Sequence, residues 1–168
     1  MKNSVSLNDI RIRNDLRSGD IGAVIQLHGV LYAKEYNYGI EFETYVAAGL
    51  NEFYEKYEPH KSRLWIAEHK DKIVGFILLL DRGEAAQLRF FLIAPEYRGI
   101  GLGRKLMELY MAFFKSCGYK SSYLWTTHEL IPAIDIYKKF GFIIAEEKET
   151  NKFGKKLIEQ KYELILYS

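Results

Sequence analysis

Between residues 85 and 118 the chain changes its periodicity at a run of three glycines, and this change restricts the folds open to it more than any other feature. Ala85 to Ile93 reads as a buried strand. Leu102, Leu106, Leu109, Tyr110, Phe113 and Cys117 then recur at helical spacing, and Gly118 stands where a left-handed helix cap is needed. The joint is Ile93-Ala94-Pro95-Glu96-Tyr97-Arg98-Gly99-Ile100-Gly101-Leu102-Gly103-Arg104-Lys105-Leu106. Glycines here present backbone N–H groups without a Cβ in the way, and the positive end of the helix dipole lies behind them. Arg98 and Arg104 add formal charge, so the turn is an anion site suited to a phosphate or pyrophosphate.

The rest of the chain builds a sheet around that joint. Ile10 to Arg13 alternates as a short strand, and Ile21, Val24, Ile25, His28, Leu31, Tyr32 and Glu35 mark a helix capped by Asp20. Phe42 to Tyr57 forms a second helix, ended by Pro59. Leu64–Glu68 and Lys72–Leu80, parted by Lys70-Asp71, read as a hairpin, and Ala85–Ile93 completes a meander. After the main helix come a strand at Tyr119–Thr126, a short helix at Pro132–Phe140 stopped by Gly141, and strands at Phe142–Thr150 and Lys155–Leu166. The strand before the main helix should lie parallel to the one after it. The expected class is α/β of the α+β type: a mixed, mostly antiparallel twisted sheet of about seven strands with about four helices.

With 168 residues, one domain spanning 1–168 is expected, so any cofactor and substrate must share one fold. The net charge of +2 and the absence of a dense basic tract argue against nucleic acid. Met1-Lys2-Asn3-Ser4 leads into mixed polar sequence, and the longest apolar run, Ile73–Leu80, is far too short for a membrane span. A cytoplasmic location and no membrane partner are expected. Cys117 is the one cysteine, and His28, His60, His69 and His128 lack the close spacing of a zinc site, so no metal is implied.

Two phosphate-binding patterns fail at the glycine turn. A Walker A loop needs Gly-Lys-Ser/Thr where this chain has Gly103-Arg104-Lys105, and the dinucleotide fingerprint needs a glycine where Leu106 stands. What remains, Arg-x-x-Gly-x-Gly at Arg98, Gly101 and Gly103, resembles the acetyl-coenzyme A pyrophosphate loop of GNAT acetyltransferases. The resemblance runs over roughly residues 60–145 and includes Ala133-Ile134-Asp135-Ile136-Tyr137-Lys138-Lys139-Phe140-Gly141-Phe142, which is similar to the family's closing motif. More narrowly, His28–Tyr36, Leu88–Leu92, Leu124-Trp125-Thr126 and Phe153-Gly154-Lys155 look like the acetyltransferase half of proteins fused to MarR-type regulators.

That resemblance implies a GNAT fold with one splayed parallel pair and acetyl-CoA as co-substrate. Phe91, Leu92, Ile93, Arg98, Gly99, Ile100, Gly101, Leu102, Gly103, Arg104 and Tyr137 would contact the cofactor. It also implies acetyl transfer to a primary amine of a small molecule or peptide, with Tyr137 protonating the leaving thiolate. The family's frequent basic glutamate falls at Gln87, which cannot take a proton, so Glu35 and His28 on the first helix, and His128 and Glu129 after the strand that lines the pocket, become candidates for the base, with Glu35 and His128 put first. His28, Tyr32, Arg89, Trp125 and Glu129, with Tyr36 and Tyr38 nearby, would line the acceptor side, where an aromatic wall suits a cationic amine. Leu130 stands seven residues before Tyr137, where the family often carries an asparagine; this and Gln87 keep open a second reading, a non-catalytic acyl-CoA sensor, and the C-terminal strands offer an edge for a homodimer.

Overall fold

The computed structural model describes residues 4–167; Met1 to Asn3 and Ser168 lie outside them. Its order is β1 (Arg11–Arg13), α1 (Asp20–Tyr36), α2 (Ile40–Glu55), β2 (Arg63–His69), β3 (Lys72–Arg82), β4 (Ala85–Ile93), α3 (Leu102–Ser116), β5 (Ser121–Thr127), α4 (Ile131–Lys139), β6 (Ile143–Thr150) and β7 (Leu157–Ile165). The seven strands form one sheet in the order β1-β2-β3-β4-β5-β7-β6, antiparallel throughout except for β4 against β5. This is the mixed α/β sheet that the element pattern predicted. Among the described residues no helix is long and apolar enough to cross a membrane.

Helices cover both faces of the central strands, which explains the unbroken apolar run in β3. Phe76, Leu78 and Leu80 pack toward α1 and α2, with Val46 and Phe53. Ile77 and Leu79 pack the other way, toward Leu106, Tyr110 and Phe114 of α3. Leu78, Leu79 and Leu80 are fully buried, and each contributes about 1.5–3 kcal/mol through the water it leaves. The β2–β3 hairpin turns on Lys70 and Asp71, both in left-handed backbone, the pairing that matches a two-residue turn to strand twist.

One local expectation is corrected. Gly19, at φ 95°, occupies the N-cap of α1, and Asp20 is the first helical residue. The Asp20 carboxylate accepts the Arg17 N–H at 2.7 Å and both terminal nitrogens of Arg13 at 2.8 and 2.9 Å. Arg13 also donates to Glu68 on β2 at 2.7 Å. Asp20 therefore joins a buried ion network that pins the N-terminal strand, a stronger demand on a carboxylate than capping.

Candidate functional site

The site begins where β4 and β5 part. They pair only at Ala85–Ser121, Ala86–Ser122 and Gln87–Tyr123, so β4 from Leu88 to Ile93 has β3 on one side and no strand on the other. The gap is widened by a bulge. Leu78 faces Arg89 and Phe76 faces Leu92, which leaves Ile77 opposite two residues, Phe90 and Phe91. Phe90 sits at φ 58°, a left-handed conformation costing a bulky residue on the order of 1–2 kcal/mol. Gly49 on α2 makes room for it: a Cβ there would overlap the Phe90 ring.

Two cavities flank the fork and share Tyr32, Phe91 and Leu130 as a common wall. The first, about 250 Å³, runs between α1, the free edge of β4, the glycine turn and α4, lined by Glu35, Leu92, Ile93, Arg98, Gly99, Gly103 and Ile136. The first backbone bond of α3 is from Lys105 N–H to the Gly101 carbonyl, so the N–H groups of Leu102, Gly103 and Arg104 head the helix without backbone partners. Gly99 and Gly101 hold φ 80° and 90°, as the turn requires. At Gly103 a Cβ would meet Ile136 Cδ1 at 3.3 Å and Phe91 at 3.4 Å, so the helix start approaches α4 and β4 as closely as backbone allows. These features fit a pyrophosphate-bearing ligand.

Arg98 closes one side of this cavity. Its guanidinium gives two 2.7 Å bonds to the Glu35 carboxylate, and its Nε donates to the Ile93 carbonyl at 3.1 Å. The Arg98 hydrogen bonds hold Glu35 below the usual carboxylate range, against the opposing effect of burial. Glu35 therefore sits at the cofactor-side cavity as the partner of Arg98, not on the acceptor side. Arg104 is exposed and paired with Glu108 at 3.0 Å.

The second cavity, about 70 Å³, is aromatic: Tyr38, Phe42, Tyr45, Phe90, Trp125 and Phe153 line it with His28, Gln87, Arg89, Thr126, Glu159 and Tyr137. His28 is buried, its Nδ1 is 2.8 Å from the Val24 carbonyl, and its Nε2 has no hydrogen-bond partner. Burial pushes its pKa down to about 4, with the Val24 and Phe90 carbonyls pulling the other way, so the ring is neutral at pH 7. Tyr137 is buried against Phe91 and Phe142, and burial holds its phenol protonated well above the usual range. Gln87, at the last β4–β5 pair, accepts Arg82 Nε at 2.9 Å. Burial raises the Tyr38 phenol to about 12, and its oxygen lies 2.5 Å from Thr127 Oγ1.

Two candidates stand elsewhere. His128 is exposed and lines neither cavity, because its Nδ1 accepts the Ile158 N–H at 3.1 Å and so completes the β5–β7 ladder. Glu129 pairs with Lys155 at 2.8 Å, and Lys155 also donates to the Tyr36 carbonyl, so the pair staples the β6–β7 turn to α1. Sequence reasoning missed Glu159, which is buried on β7 between Lys148 and Lys152. The available signal was a charged residue two positions after the inward Leu157 on a strand.

The model of the acetyltransferase (GNAT) family matches residues 30–142, a stretch that begins in α1 and ends after α4. The chain belongs to this family. Like other members, it resembles the uncharacterized N-acetyltransferase YjgM of Escherichia coli K12, 31% identical over 97 residues; the match covers 55% of this chain and 58% of that protein. The acetyltransferase of GNAT family from Staphylococcus aureus Mu50 superposes with a TM-score of 0.76 at 22% identity, over 94% of this chain and 99% of that one. The yncA protein of Salmonella typhimurium, solved with its cofactor acetyl-CoA, gives 0.71 at 17% identity over 96% of each chain. These likenesses establish a GNAT fold, including the splayed parallel pair.

Proposed function

We propose that residues 1–168 form one cytoplasmic N-acetyltransferase domain, which moves the acetyl group of acetyl-CoA to a primary amine of a small molecule or peptide. The observation that carries this reading is the pair of cavities meeting at Phe91 across the β4–β5 fork, with Tyr137 beside the shared wall. Acetyl-CoA, when bound, supplies a thioester whose acyl carbon an amine can attack. The N–H groups from Gly99 to Arg104 take the pyrophosphate, with Ile100 and Leu102 shaping the turn and Arg98 and Arg104 adding charge. The free β4 edge at Phe91, Leu92 and Ile93 orients the pantetheine arm; the Ile93 carbonyl is already engaged by Arg98.

Tyr137 gives its proton to the leaving sulfur, and the proton that the attacking amine sheds on forming the amide restores the phenol. Of the remaining candidates, Glu35 is held ionised by Arg98 and His128 faces solvent, which leaves two groups in the acceptor cavity, the unpartnered His28 Nε2 and the Glu159 carboxylate held by Lys148 and Lys152. A ring kept neutral to about pH 4 is a weak base, so His28 orients the amine by accepting its hydrogen bond. The likeness to the acetyltransferase half of MarR-fused proteins belongs to this reading too, supported by the stretch from Leu88 to Leu92 that builds the bulge. The edge of β6, exposed at nearly every residue, is where a homodimer would pair. Gln87, tied to Arg82 where a base would stand, favours the alternative of a non-catalytic acyl-CoA sensor.

A thiol-release assay with acetyl-CoA against polyamines, amino acids, aminoglycosides and lysine peptides separates the two readings: turnover supports the enzyme, and tight CoA binding without turnover supports the sensor. Tyr137→Phe is expected to lower kcat by about 10²-fold with CoA affinity unchanged. An unaltered rate across pH removes the acid role.

A further inference from the structure

Arg89 leaves β4 two residues past the last pair with β5, and its side chain, 12% exposed, lines the acceptor cavity. A guanidinium has five N–H donors. Here Nη1 gives one bond, to Glu52 Oε1 at 3.2 Å, and Arg89 makes no other side-chain hydrogen bond to the described residues. Nor is that partner its own, for Glu52 also takes Arg82 at 2.6 and 3.1 Å and Lys56 at 3.1 Å. One carboxylate thus serves three cations. The guanidinium lies over Phe90 and Tyr45, 4.6 and 5.2 Å from their centroids, so the rings hold its fork in place.

The other charged groups around the cavity repeat the imbalance. Lys152 lies 4.9 Å from the centroid of the same Tyr45 ring, and Lys152 and Lys148 share the single carboxylate of Glu159. Of these charged side chains Arg89 and Glu159 line the cavity itself, and the carboxylates at this end, Glu52 and Glu159, are each shared by more than one cation. A second cation entering about 70 Å³ beside Arg89 meets repulsion, whereas an anion meets a preorganised fork. Two buried polar atoms in the same lining, Thr126 Oγ1 and His28 Nε2, have no hydrogen-bond partner, and the Thr126 hydroxyl can receive an N–H group.

We propose that Arg89 anchors a carboxylate on the acceptor, and that the acceptor is a small amino acid-like molecule with its primary amine a few bonds from that carboxylate. The proposal rests on the acceptor-cavity reading above and narrows its substrate class: cationic monoamines and polyamines are disfavoured, in contrast to the aromatic-wall expectation. Arg89, His28 and Thr126 line one cavity, which places the carboxylate and the amine on one stem.

The test uses matched pairs of acceptors, each amino acid beside the amine left when its carboxylate is removed: L-alanine and ethylamine, L-methionine and 3-(methylthio)propylamine, L-phenylalanine and phenethylamine. Thiol release with acetyl-CoA gives kcat/KM for each, and calorimetry on the CoA-saturated protein gives affinity. The acids are expected to exceed their amines by about 30-fold or more. In Arg89→Gln that ratio falls toward one, Arg89→Lys restores part of it, and CoA affinity reports whether each variant is folded. Turnover with no preference for the acid overturns the anchor and leaves the transfer reading intact. If no compound is turned over but an acid binds in an Arg89-dependent way, the anchor stands and the transfer reading falls. If no acid binds either, both fall.

Discussion

The two cavities on either side of Phe91 are built from different materials. The cofactor-side cavity depends on main chain: the unpaired edge of β4, glycines at φ 80° and 90°, and the unpartnered N–H groups heading α3. The acceptor-side cavity depends on side chains gathered from α1, α2, β4, β5, the β6–β7 turn and β7. A main-chain site needs a contiguous stretch with the right conformational freedom and tolerates many side chains. A side-chain site needs residues more than a hundred positions apart, and each can change the ligand it accepts. Specificity in this fold can therefore drift on one side of Phe91 while the other keeps its ligand.

The largest effect should come from attacking the main-chain side. Gly103→Glu puts a carboxylate and its stem between Phe91 and Ile136 at the head of α3 and is expected to weaken CoA binding by at least about 100-fold. Unchanged affinity in a calorimetric titration would break the contrast at its strongest point. Next is the burial of His28. Its folded pKa of about 4 lies below the ordinary 6.5, so the folded state holds fewer protons than the unfolded one. The stability it confers is complete above pH 6.5 and drains as pH falls toward 4, by up to about 3 kcal/mol. Urea unfolding of wild type and His28→Phe at pH 7 and pH 4.5 reads this directly; equal acid losses in both proteins refute it.

Gly49→Ala is expected to cost about 1–3 kcal/mol because Phe90 must move, and Arg89 Nη2 lies only 2.9 Å from the new methyl. It should lower acceptor kcat/KM while leaving CoA affinity intact, and a loss on the cofactor side instead would show that the cavities are mechanically coupled. The smallest change belongs to Glu35→Gln. Its pair with Arg98 is partly exposed, so CoA affinity should move by no more than about threefold and the pH profile of kcat should keep its shape. Loss of the acidic limb, where a base must give up its proton before it can act, would return Glu35 to the role of base.

The same contrast explains what could be read from the sequence. Element order, the parallel pair and the glycine turn were legible because each depends on local periodicity or on residues that remove a Cβ or an N–H. Arg98 was legible as a charge near the turn, but its bond to Glu35, 63 positions away, was not, and that bond changes what Glu35 can do. His128 reads as a candidate because it follows a strand lining the cleft; only the ladder with β7 shows its ring turned to the Ile158 N–H. The bulge at Phe90 left no glycine to mark it, since its steric relief comes from Gly49 on another element.

That bulge has a consequence for inheritance. Gln87 and Arg89 lie on the α2 side of the sheet, whereas Phe91 and Ile93, of the same parity, lie against α3 and α4, because Phe90 absorbs one extra step of the strand. The strand is in effect spelled in two reading phases. Substitution within either half edits one wall alone, and losing a single codon at the junction would merge the two phases into plain alternation, with Gln87 and Arg89 still on one wall and Phe91 and Ile93 on the other, at the cost of the bulge that Gly49 accommodates.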